Sequence, residues 1–173
     1  MVAATQAIAG VSSSSEAEIE AVYPSIAANA LGQVIGVIMG GVSAALPILI
    51  LRLPAMIIVG AVMIPLGLLA YACQKLFGTC YVVTNRGIHQ RKVFGYAIVD
   101  SVTLTDIDNI DIVTQGGYEF HRVGDVVLQN ASGAAIMTIA AIQYPERLRQ
   151  IILDARAARM ANDESLAHIR GRG

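Results

Sequence analysis

Two long uncharged runs fill most of the first half of this chain. Ile26 to Leu51 is 26 residues without a charge, Leu53 to Gln74 is another 22, and Arg52 stands alone between them. A helix needs about 20 apolar residues to cross a hydrocarbon core of roughly 30 Å, so each run is long enough to span once. The few residues around Leu51-Arg52-Leu53-Pro54 leave room only for a tight turn, which sends the second helix back beside the first. The pattern predicts a transmembrane helical hairpin over 25–77.

The N-terminal segment, 1–24, reads differently. Val2 to Val11 is small and apolar without a clear period, and Thr5 and Gln6 break it. With no positive residues ahead of it, this is not a secretory signal, so the hairpin is expected to insert uncleaved. Ser12 to Ser15 is a polar break in which Ser13 precedes Glu16 by three residues and Ser15 precedes Glu18 likewise, the spacing of a capping box. A short helix from about Glu16 is therefore expected to lead into the first span. Tyr23 and Tyr71 fall where interfacial aromatics sit, near the headgroups.

After Gly78 the period changes to two. Thr79–Thr84, Gly87–Val93, Tyr96–Thr105, Ile107–Thr114, Asp125–Gln129 and Ala134–Ala140 read as strands, with turns at Asn85-Arg86-Gly87, Gln115-Gly116-Gly117 and 130–133. Gly87 is expected to supply a positive φ, and alternation puts Asp106 and Asp108 on one solvated strand face. Pro145 opens a helix whose Leu148, Ile151, Ile152 and Ala155 form one apolar face. The expected fold class is an α+β membrane protein. Its two-helix transmembrane hairpin is followed, over 78–160, by an antiparallel β-barrel or sandwich capped by a C-terminal helix; 161–173 is a tail.

The first span carries the sharpest local pattern, Gly32, Gly36 and Gly40 at four-residue spacing, flanked by Asn29 and Gln33. Residues four apart share a helix face, and in lipid close backbone approach and a few polar contacts supply the association energy. This helix-packing face has two candidate partners. One is the second helix of the same hairpin, where Gly60 and Gly67 are small. The other is a separate integral membrane protein, which the polar Asn29 and Gln33 favour. Pro47 and Pro65 are expected to loosen their helices. Arg52 in the turn against Lys75, Arg86, Arg91 and Lys92 beyond the second span places the N-terminus and the domain in the cytoplasm.

Composition narrows the chemistry. Hydrophobic residues make up 55% and charged ones 14%, with a mean hydropathy of +0.60. From Gly78 onward ten basic residues face ten acidic ones, so there is no basic excess with which to hold nucleic acid. Cys73 and Cys80 suggest neither a disulfide framework nor a metal site, and His89, His121 and His168 stand outside metal-binding spacing. Asp106, Asp108 and Asp111 lack the central glycine and closing Glu of a calcium loop. No nucleophile–base set, phosphate loop or cofactor motif is present, so neither catalysis nor a cofactor is expected.

Three stretches resemble the bacterial pleckstrin-homology-like domains of the DUF304 (bPH2) type, which often follow transmembrane helices. Tyr81-Val82-Val83-Thr84-Asn85-Arg86-Gly87-Ile88 is similar to that family's opening strand and turn. Leu104 to Ile112 is similar to a later strand, and Val123 to Leu128 with Tyr144-Pro145-Glu146-Arg147-Leu148 to the last strands and the helix start. Gly87 stands where a second basic residue is usual, and Arg122 where the first of two glycines is. The resemblance implies a non-catalytic PH-like fold; related domains occur in factors attached to membrane complexes, photosynthetic reaction-centre assembly proteins among them. The expected function is therefore a membrane-anchored accessory or scaffold subunit of a photosynthetic or other bioenergetic complex. It would sit in the bacterial inner membrane with membrane proteins and lipids as partners. The alternative is a module binding anionic lipid surfaces through Arg86, His89, Arg91 and Lys92, each basic group near the surface adding about 1 kcal/mol.

Overall fold

The computed structural model describes residues 16–45 and 48–170. The expectations for Val2–Val11, for the serine run and its caps, for Pro47 and for 171–173 lie outside the described residues. Among the described residues, seven strands form two antiparallel sheets. The first is a four-stranded meander of β1 (Glu18–Val22), β2 (Thr79–Thr84), β3 (Gly87–Lys92) and β4 (Ile98–Thr103). The second holds β5 (Asn109–Val113), β6 (Val123–Gln129) and β7 (Ala135–Gln143). Helices α1 (Ala30–Ala45) and α2 (Leu49–Phe77) lie between β1 and β2, α3 (Tyr118–His121) interrupts the β5–β6 connection, and α4 (Pro145–Arg170) closes the chain.

The core follows from the period-2 and helical patterns. Val83, Ile88, Ile110, Val126, Leu128 and Ile139 turn inward from both sheets, and Leu148, Ile152 and Ala155 of α4 cover them. These three α4 residues stand four and three apart, on one helical face. Pro145 occupies the first helical position, where its missing N–H costs nothing. Truncating the fully buried Ile152 to Ala would cost about 2–5 kcal/mol.

Several expectations are corrected. The segment after Glu16 is not a helix: Glu18–Val22 is a strand that pairs with β2 from Glu18↔Thr84 to Val22↔Tyr81. Glutamates at alternate positions explain it, because Glu16, Glu18 and Glu20 each meet a basic side chain of the domain, namely His89, Arg91 and Arg147. The domain therefore includes β1, and the hairpin is an insertion between two neighbouring strands of one sheet. The hairpin does not turn at Leu51–Pro54: α1 ends at Ala45, α2 begins at Leu49, and Arg52 and Pro54 are inside α2. Gly87 does not adopt a positive φ. It is required by close approach instead, since a Cβ there would stand 2.5 Å from the Val102 carbonyl oxygen. Asp106 ends a 3-10 turn (Leu104–Asp106) and Asp108 lies beyond it, so neither is on a strand. Residues 161–170 continue α4 and are not a separate tail.

Helices α1 and α2 run antiparallel. Asn29 Nδ2 donates to Gln74 Oε1 at 2.6 Å at one end, and Arg52 donates to Ser43 Oγ at the other. With 29 residues, α2 is about 43 Å long at 1.5 Å per residue. Among the described helices it alone is long and apolar enough to cross a membrane. The 16 residues of α1 make about 24 Å, apolar but shorter than a full span.

Candidate functional site

Two of the glycines singled out on α1, Gly32 and Gly36, lie at a joint between hairpin and domain. Gly32 sits against the 3-10 turn Ile26–Ala28, where a Cβ would meet the Ile26 carbonyl oxygen at 2.0 Å. Gly36 faces the β5–β6 connection: a Cβ would stand 2.3 Å from the Gly117 carbonyl oxygen and 2.9 Å from the His121 ring. Gly117 returns the relation, at φ +87° with the Gln33 carbonyl oxygen 2.6 Å from where its own Cβ would be. Two backbones thus touch through a pair of glycines, and any side chain on either would part them. Gly40 has open space around it, as do Gly60 and Gly67. The inner part of the glycine face therefore packs on the chain's own domain, a partner the sequence pattern did not suggest, and α2 is not seated in it.

Polar groups lock the joint. His121 Nε2–H donates to the Gly32 carbonyl at 3.0 Å, which fixes the ring's tautomer. Gln33, the neighbour of Gly32 on α1, sits where its side-chain amide acts on the Tyr118 hydroxyl and favours the anion. Asn29, as noted, is spent on Gln74. Tyr118 is 1% exposed. Burial, together with the hydroxyl's bond to the Asp125 carboxylate and that charge, pushes its phenol up to about 12. Asp125, equally buried, accepts from the Ala141 N–H at 2.7 Å and from the Gln115 side-chain amide. Ala141 is held at φ +50° there, a conformation that costs about 1–3 kcal/mol for a residue with a side chain and that the carboxylate secures. Sequence reasoning missed Tyr118, His121 and Asp125. A buried acid inside an otherwise apolar strand, Val123-Gly124-Asp125-Val126-Val127, was the available signal.

The basic group at the first hairpin of the sheet is largely engaged. His89 Nε2–H donates to Glu16 at 2.6 Å, and Arg91 pairs with Glu18 at 2.8 Å. Glu16 also accepts from the Thr84 hydroxyl, and the His89 and Thr84 bonds hold its carboxyl below the usual range. Arg86 lies within electrostatic reach of the same carboxylate. Lys92 is exposed. Cys80 is buried in β2, which raises its thiol pKa, whereas Cys73 is exposed on α2. Among the described residues no group of three or more His, Cys, Asp or Glu stands together to hold a metal.

Where α2 leaves for β2 a cavity of about 520 Å³ opens between the helix end, the β1–α1 link and the start of α4. Tyr23, Tyr71, Lys75, Tyr144 and Arg147 are on its wall. Lys75 stands over the Tyr23 ring at 5.9 Å, and Arg147 is paired with Glu20 at 3.5 Å. The first contact ties the end of α2 to the β1–α1 link, and the second ties α4 to β1.

Comparison with known proteins gives one match. A family model described as a bacterial PH domain matches residues 26–156, which takes in the hairpin and all strands except β1. No curated protein and no solved structure matches the chain.

Proposed function

The chain belongs to the bacterial PH domain family, and on that premise we propose that it is a non-enzymatic, membrane-anchored accessory subunit. In this reading the hairpin crosses the bacterial cytoplasmic membrane twice and holds the domain on the cytoplasmic face, where it docks on a larger integral membrane complex. The observation that carries the reading is the double attachment of domain to hairpin. One attachment is the pair of strands that brackets the insertion; the other is the Gly36–Gly117 contact with its His121 bond. A tether needs one flexible link. Two rigid ones hold the domain in a single pose relative to the helices, as fitting against a neighbouring membrane protein requires.

The β1–β2 ladder also supports two crossings. Paired strands lie on one side of a membrane, so the chain between them crosses it an even number of times. If α2 crosses once, α1 supplies the other passage, with local thinning of the bilayer taking up its short length. Gly40, Gly41, Gly60 and Gly67 have open space around them, which leaves small positions at which a partner helix can approach closely. Purification from native membranes in mild detergent, followed by native mass spectrometry, tests the reading. The expected result is co-migration with one or more integral membrane proteins; a lone monomer or simple homodimer overturns it.

A further inference from the structure

The nine aromatic residues of the chain are unevenly distributed. Tyr81 and Tyr118 are buried, and the other seven are exposed. Contacts, chain position or strand register place each exposed one near the domain end of the hairpin. Tyr23, Tyr71 and Tyr144 line the cavity at the end of α2. Phe120 stacks edge-on against His121, the residue that holds α1. Phe77 is the last residue of α2. The far turns of the sheets, at Asn85–Arg86 and 130–134, and the length of α4 beyond Pro145 carry no aromatic residue.

Phe94 and Tyr96 are located by register. Lys92 lies opposite Thr79, the first residue of β2, and the Val93 N–H donates to the Gly78 carbonyl at 3.0 Å. Residues 94–96 therefore extend past the point where the chain leaves α2, on the hairpin side of the sheet. Phe77, Phe94 and Tyr96 are 82%, 81% and 77% exposed, a degree of exposure that water disfavours for rings of this size. Lys75 and the exposed Lys92 flank them. Aromatic rings with lysines beside them are the residues that settle at the headgroup level of a bilayer.

We propose that the hairpin-side face of the domain, led by the β3–β4 tip Phe94-Gly95-Tyr96, lies within the interfacial layer of the lipid bilayer. The proposal rests on the reading of α2 as a membrane span, and lipid is the occupant because the aromatic face continues directly from the exposed apolar surface of that helix. The length of α2 fits. A helix of about 43 Å in a hydrocarbon core of roughly 30 Å takes up the excess by tilting, and a tilted α2 brings its last turns and the adjacent tip obliquely through the headgroup layer.

The chain has no tryptophan, so single-tryptophan variants of the full-length protein in vesicles read each position cleanly. Three are needed: Phe94→Trp at the tip, Ile58→Trp in the apolar length of α2, and Ala134→Trp at the far turn. Lipids brominated near the headgroup or deep in the acyl chain serve as quenchers. The expected result is blue-shifted emission from Phe94→Trp that loses most of its intensity to the shallow bromines. Ile58→Trp should be quenched by the deep bromines, and Ala134→Trp by neither. If Ile58→Trp is quenched while Phe94→Trp emits as Ala134→Trp does, the interfacial proposal is overturned and the span stands. A blue-shifted but unquenched Phe94→Trp means protein covers the tip, which also overturns it. If Ile58→Trp is not quenched at all, the span reading fails and takes the proposal with it.

Discussion

The two halves of α1 carry the same small-residue repeat and meet opposite surroundings. Around Gly32 and Gly36 the backbone of the protein itself arrives within a distance that admits no Cβ, whereas around Gly40 there is nothing within 4 Å. A four-residue glycine spacing states only that one face of a helix can be approached closely. What approaches is decided by tertiary structure: near the domain it is the β5–β6 connection, and further along the site is left open. The repeat is thus one signal serving two purposes, an internal joint and an outward-facing surface.

The largest effect should come from Gly36→Leu. The obstructing atom is a carbonyl oxygen of the Gly117 backbone, not the end of a flexible side chain, so the joint must open, at about 3 kcal/mol by the usual cost of overpacking. Thermal unfolding in detergent should fall by several degrees, and accumulation in the membrane should drop. An unchanged melting profile would show that the domain does not depend on the joint. His121→Ala removes the bond to the Gly32 carbonyl without adding bulk and should cost about 1 kcal/mol, read in the same melt.

A subtler reading comes from pH. Tyr118 has its phenol raised from 10 to about 12, so the folded state prefers the protonated form. Its contribution is whole below the unfolded value and is lost as pH rises from about 10 through 12. Ultraviolet titration should therefore find one phenolate forming last, at about pH 12; Gln33→Leu, which removes the amide that favours the anion, should move it no lower. A tyrosine set that titrates together near 10 would show that Tyr118 is not enclosed. The smallest effect on stability belongs to Gly40→Leu, where open space predicts a melt within about 0.5 kcal/mol of the parent. If that same variant loses co-purifying membrane proteins while Gly36→Leu loses stability, the two halves of α1 are separated by experiment. Equal melting losses from both would erase the distinction.

Much of the fold could be read along the chain after Gly78. Alternation in Thr79–Thr84, the Pro145 start and the 3.6-residue stripe through Leu148 and Ile152 are local signals, and each became the expected element. What escaped was non-local. Glu16, Glu18 and Glu20 satisfy both a capping-box spacing and a strand alternation, and only the basic partners on β3 and α4, far away in sequence, decide between them. The joint escaped for the same reason. Gly117, Tyr118 and His121 look like a turn with ordinary neighbours until α1 is laid against them, and the charge of Asp125 gains meaning only once Ala141 is seen to need its oxygen. The basic residues around the first hairpin were visible as a cluster, but the acidic strand that answers two of them was placed in the wrong class of structure.

The strand that precedes the helices has a consequence for how the molecule is made. During synthesis β1 precedes the helices and has no partner on β2 until Tyr81 has followed, 59 residues after Val22 in the register of the finished sheet. If the helices insert as proposed, β1 must wait on the membrane surface until the chain returns with β2. A chain whose helices enter incorrectly leaves these two strands on opposite faces of the bilayer, with β2 offering a bare edge of the kind that invites aggregation and degradation. On the proposed two-crossing reading, closing the sheet would therefore also check biogenesis, since only a correctly threaded chain could complete the domain.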